Sequence, residues 1–126
     1  MDTLIEKIQP KTRVKNAIKL SLQEEKQVIV HCLLPCQPGD GVRVWKTTYL
    51  IAEDGTKSYL VYWQGISLAP VWTWAMDTGN FRFTLVFTGL PADCQCFSFV
   101  EEIPEPGGWN IAKIRRNKSD VYHIRL

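Results

Sequence analysis

The run from Phe81 to Phe87, FRFTLVF, constrains the fold of this chain more than any other stretch. Phe81, Phe83, Leu85 and Phe87 recur at every second residue. Arg82, Thr84 and Thr88 take the alternate positions, with Val86 the one exception. Side chains on an extended strand point to alternate faces, so the run turns an aromatic face inward and a mostly polar face outward. Gly89, Leu90 and Pro91 break it. A second alternating run follows, with Phe97 and Phe99 on one face and Cys96, Ser98 and Val100 on the other. Two such runs in succession predict a β-sheet protein with one well-filled core.

The size of the chain agrees. Its 126 residues make one domain, spanning 1–126, with room for a real core. Hydrophobic residues at 45% and charged residues at 22% exclude the disordered classes. A net charge of +2 is too small to argue for nucleic acid or an anionic membrane as partner. No apolar run approaches the roughly 18–20 residues of a membrane span. The opening MDTLIEKIQPK lacks the basic then apolar pattern of a secretory leader. A cytoplasmic protein is therefore expected, or an envelope or secreted one if a leader has been removed.

In chain order, Thr3 to Ile8 reads as an extended arm stopped by Pro10. Val14, Ile18, Leu20 and Leu22 alternate with Lys15, Ala17, Lys19 and Ser21, a half-buried strand. The polar turn Gln23 to Lys26 joins it to the apolar run Val28 to Leu34, a central strand, and the two predict an antiparallel hairpin. After the turn Pro38 to Gly41, Val42 to Ala52 is one strand and Lys57 to Trp63 its return. Asp54-Gly55 between them predicts a type I′ turn. Ile66 to Gly79 is irregular, with Trp72 and Trp74 on a short strand or crossover. Trp109 to Ile114 and Val121 to Leu126 are the last two extended runs. About eight short strands and no long helix predict an antiparallel β-sandwich, loosely immunoglobulin-like, with a small barrel as the alternative. No Cys…Trp…Cys arrangement of a true antibody-like domain is present.

Little in the chain points to catalysis. Cys32, Cys36, Cys94 and Cys96 could supply four thiolates to zinc, but C-x3-C and C-x-C are poor spacings for a structural site. Four reduced thiols and no metal or other cofactor are expected, with Cys32 a small core residue. A Cys36–Cys94 bridge would need an oxidising compartment. His31 sits inside an apolar strand, where a hydrogen-bonded histidine is the ordinary reading. His123 lies in the last strand near Asp120 and Tyr122. No strained nucleophile turn accompanies either one. Glu101 and Glu102 are adjacent and so face opposite ways on a strand. No glycine-rich phosphate loop is present. A non-enzyme is expected, with no catalytic residues.

The tryptophans are the candidate binding residues. Trp63, Trp72 and Trp74, with Tyr59 and Tyr62, lie within one short segment. Large aromatics mostly fill cores, yet Trp and Tyr also dominate interface hot spots and stack on sugar rings. A protein partner is favoured. A carbohydrate is the alternative, because few hydrogen-bonding side chains beyond Gln64, Asp77 and Asn80 stand near to hold hydroxyls. The basic stretch Lys113, Arg115, Arg116 and Lys118 could join Lys15 and Lys19 in a phosphate or acidic-partner patch. A solvated loop is the simpler reading. No motif encodes the partner's identity or the oligomeric state.

Phe83-Thr84-Leu85-Val86-Phe87, Leu90-Pro91 and Phe97-Ser98-Phe99-Val100-Glu101, followed by Trp109 and Ile114, resemble a β-sandwich accessory module of bacterial proteins. Such modules are found alone or in front of thioredoxin-like domains. The likeness covers the second half of the chain and takes in Tyr49-Leu50 and the Asp54-Gly55 hairpin. Ser98 stands where the family carries an acidic residue, and no redox domain is expected to follow. The resemblance implies a sandwich with an accessory role, adds no catalytic residue, and leans toward the cell envelope.

Overall fold

The computed structural model describes residues 26–76 and 79–126. The expected strand from Val14 to Leu22, the arm before it, and the lysines Lys15 and Lys19 lie outside the described residues, as does Asp77.

Among the described residues there are nine strands and no helix: β1 (Val28–Cys36), β2 (Gly41–Val42), β3 (Tyr49–Ala52), β4 (Lys57–Gln64), β5 (Thr73–Trp74), β6 (Gly79–Phe87), β7 (Cys96–Val100), β8 (Asn110–Arg115) and β9 (Val121–Arg125). The protein is all-β. Seven strands form one continuous sheet in the order β8-β7-β3-β4-β6-β1-β9, and β2 pairs with β5 in a small second sheet.

The alternation that organises the sequence organises the core. Phe83, Leu85 and Phe87 on β6 are buried, and so are Val28, Val30 and Cys32 on β1, Leu50 on β3, and Phe97 and Phe99 on β7. Strands β6 and β7 follow each other in the chain but do not pair. Phe87 and Phe99 instead meet edge to face, with ring centroids 6.0 Å apart. The sheet curls, so that Phe97 near one end packs on Tyr122 of β9 at the other, centroids 4.9 Å apart.

Three features differ from the sequence reading. The sheet is mixed, not wholly antiparallel: β9 runs parallel to β1, with His31 opposite His123 and Leu33 opposite Arg125. Strand direction depends on how a distant segment returns, and alternation does not encode it. The strand expected over Val42 to Ala52 is interrupted after a bridge at Val44, because the Thr48 amide and hydroxyl both donate to the Trp45 carbonyl and close a turn. The Asp54-Gly55 hairpin forms, but not as a type I′ turn. Gly55 alone takes a positive φ, of 91°, and the Asp54 carboxylate accepts from the Thr56 amide at 2.9 Å. One left-handed residue after a helical turn is the signature of the longer bulged loop.

Strand β4 carries a further irregularity. Leu60 pairs with Phe87, but Tyr62 pairs with Val86, so Val61 is an extra residue. A bulge resets the alternation. Leu60 therefore points inward before it and Trp63 after it, while Tyr62 and Gln64 are turned out.

Candidate functional site

The segment that follows β4 is irregular in sequence yet well fastened. The Ser67 hydroxyl lies 2.7 Å from the Thr73 hydroxyl and donates to the Val71 carbonyl at 2.8 Å. The Val71 amide donates to Leu68, and Ala69 to Val44. Strand β5 then lies along β2, with Trp74 opposite Gly41. Just beyond that pair, Gly39 donates to the Ala75 carbonyl and Ala75 to that of Asp40, each at 2.8 Å. The segment's backbone is thus held at Ala69, Val71, Ala75 and the β2–β5 pairing before any ligand arrives.

Trp72 and Trp74 are two residues apart and point the same way. Their rings stack at 6.0 Å with 29° between planes, and they are 44% and 56% exposed. Val71 and Met76 beside them are also exposed, Met76 at 81%. The rings rest on the backbone of Gly41. A Cβ built there would come within 2.8 Å of Trp74 Cζ3 and 2.9 Å of Trp72 Cε3, so only glycine lets the indoles lie this close without shifting.

Arg43 flanks the pair. Its guanidinium lies 3.8 Å from the Trp72 ring centroid and 5.5 Å from that of Trp45. Its Nη1 donates to the Pro70 carbonyl at 3.2 Å, and Nη2 is 3.9 Å from a Glu105 carboxylate oxygen. A cation over an indole face is attracted by the ring quadrupole, and the planar guanidinium stacks there well. Beside it opens a small cleft of about 160 Å³, lined among others by Trp45, Trp72, Glu101 and Trp109. Glu101 is buried. Its carboxylate accepts from the Trp45 amide at 3.2 Å and the Trp109 amide at 3.4 Å. Burial pushes this carboxyl above its ordinary range, against the pull of both amides and of Arg43.

The structure thus brings together two of the three tryptophans singled out in the sequence. Trp63 is half-buried against the core from β4, where the bulge turns it. Trp45, Arg43 and Gly41 join the site without a sequence signal strong enough to select them. Their roles depend on the β2–β5 pairing, which two-residue strands do not announce.

The other candidates fall as follows. Among the described residues no three His, Cys, Asp or Glu side chains gather as metal donors. Cys32 is buried on β1 and its thiol is pushed up to about 12 by burial. The Cys94 thiol is also raised, chiefly by burial, with Arg116 opposing. Arg116, from the basic stretch, is not a free cation. It forks onto Asp120 at 2.6 and 2.9 Å and donates to the Pro91 and Cys94 carbonyls. His31 Nδ1 lies 2.8 Å from the Thr84 hydroxyl.

No family model, no curated protein and no solved structure matches this chain.

Proposed function

We propose that this protein is a non-enzymatic binding module that engages a protein partner through Val71, Trp72, Trp74 and Met76. The observation that carries this reading is the exposed Trp72–Trp74 stack on a backbone already held by hydrogen bonds. Contiguous exposed apolar side chains favour being covered. Tryptophans on a rigid support make hot spots, because little conformational freedom is lost when they are buried by a partner. The resemblance of the second half of the chain to accessory modules points the same way.

A protein is preferred over a sugar because of what already covers the rings. Arg43 lies over Trp72, and Trp72 and Trp74 lean on each other, so little open indole face is left for a pyranose to stack on. The exposed edges, with Met76 and Val71, suit an apolar protein surface.

A photo-crosslinking side chain in place of Met76 tests the reading. A single predominant protein adduct is expected in the source cells, lost when Trp72 and Trp74 are both changed to serine. The purified partner should then bind the double variant at least about tenfold more weakly. Undiminished crosslinking and affinity in the double variant would end the proposal. Emission that shifts on sugar titration in the wild type alone would replace it with carbohydrate binding.

A further inference from the structure

A second site lies on the outward face of β4, β6, β1 and β9. Strand pairing sets its layout. Gln64, Thr84, His31 and His123 stand opposite one another in one row across the four strands. Arg82, Leu33 and Arg125 form the next row across three of them. These residues line a groove of about 680 Å³. Neighbouring strands are about 4.8 Å apart and alternate residues about 6.7 Å apart along a strand. The two arginines therefore start about 10 Å from each other, one on either side of half-buried Leu33, with the imidazoles about one row away.

The composition of this face is one-sided. Two guanidiniums and two imidazoles line the groove, and among the described residues no carboxylate does. The His31 and His123 rings stack at 4.9 Å with 29° between planes. The His31–Thr84 contact uses Nδ1, which leaves Nε2 for a ligand. Among the described residues, the side chains of Arg82 and Arg125 have neither an ion-pair nor a hydrogen-bond partner. Arg43 and Arg116, by contrast, are each matched by a carboxylate and a carbonyl. Two unmatched arginines one row from a stacked imidazole pair leave this face rich in N–H donors, with two fixed positive charges that no described carboxylate balances.

From this juxtaposition we infer that the groove binds the phosphoryl group of a small soluble organic phosphate. Arg82 and Arg125 close on the oxyanion from opposite sides over Leu33. Guanidinium forks match tetrahedral oxyanions bidentately, and charge-assisted hydrogen bonds of this kind are the strong ones. His31 and His123 supply further N–H donors, and the Gln64 amide and Thr84 hydroxyl reach the organic portion. The groove is in the size range of small-molecule sites, larger than one phosphate needs.

Inorganic pyrophosphate is the probe. The chain has two histidines, and both line the groove, so imidazole C–H resonances report on it without ambiguity. Saturable shifts of both rings are expected with pyrophosphate at about 150 mM sodium chloride, where unspecific surface attraction is screened. Arg82→Gln and Arg125→Gln, at exposed positions, should each weaken binding at least about tenfold with an unchanged melting midpoint, and Arg115→Gln on β8 should not. Unchanged affinity in the Arg82→Gln/Arg125→Gln double variant would overturn the inference. So would binding seen only with vesicles containing phosphatidic acid, which would make the ligand a membrane surface.

Discussion

Phe97 and Tyr122 meet edge to face with ring centroids 4.9 Å apart, although their strands are second and last in a seven-stranded sheet. This contact is the closure of the fold. The Tyr122 hydroxyl extends it: it donates to Asp120 Oδ1 at 2.8 Å and accepts from the Asn117 amide at 3.0 Å. Asp120 in turn holds the Arg116 fork, and Arg116 reaches back to the Pro91 and Cys94 carbonyls. The β8–β9 loop and the connection before β7 are thereby tied through one largely buried guanidinium.

Asp120→Asn should therefore destabilise the protein by about 3 kcal/mol in chemical denaturation, because it leaves the largely buried guanidinium of Arg116 without its charge partner. Asp120 has φ of 55°, and asparagine accepts that left-handed conformation, so the variant isolates charge from backbone strain. The pH dependence has a definite sign. Burial pushes the Asp120 carboxyl up, but hydrogen bonds from Arg116 and Tyr122 and the Arg116 charge outweigh it, and the net shift is downward from 3.8. A depressed carboxyl stabilises the fold above its unfolded value and loses that contribution as pH falls through the folded one. Wild type should lose its advantage over Asp120→Asn as pH is lowered through and below about 4.

Glu101 has the opposite sign. Its folded value is raised above 4.5, first by burial, so the folded state holds the proton more tightly than the unfolded chain. Its contribution is fully present below 4.5 and is lost as pH rises through the folded value. Glu101→Gln, which cannot ionise, should gain on wild type as pH is raised from about 4 to 7 in denaturation midpoints. A constant difference between the two proteins over that range would show that Glu101 does not titrate as its burial requires.

In the core, Leu85→Ala should cost about 2–5 kcal/mol, since Leu85 is wholly buried between the aromatic residues of β6. Thr84→Ala, on the other face, removes one half-exposed hydroxyl contact with His31 and should cost about 1 kcal/mol or less. Equal losses would put the strand in the wrong phase.

For the indole pair, acrylamide should quench a component of the emission that shrinks in Trp72→Phe and in Trp74→Phe and shrinks furthest in the double variant. Gly41→Ala should change that component without unfolding the protein, because the added methyl meets the two rings rather than backbone. Emission and quenching identical to wild type in Gly41→Ala would mean the rings do not rest on that glycine.

Thiol reactivity in the native state should follow burial. Cys96, half-exposed, reacts first with a disulfide reagent, and Cys32 reacts only on unfolding, since its thiolate is suppressed by burial. Fast native labelling of Cys32 would contradict its place on β1.

The sequence by itself determined the all-β class, the inward faces of β1, β6 and β7, and the hairpin at Asp54-Gly55. Each of these depends on period-two patterning or turn chemistry within a few residues, and local backbone geometry makes that readable. It also singled out Trp72 and Trp74, because residues two apart on a strand share a side. Only the tertiary structure decided the parallel return of β9, the Val61 bulge that turns Trp63 inward, the support of the indoles by Gly41 and Arg43, and the meeting of His31 with His123. These follow from register between strands far apart in the chain, and a one-residue slip in register would turn every side chain to the other face.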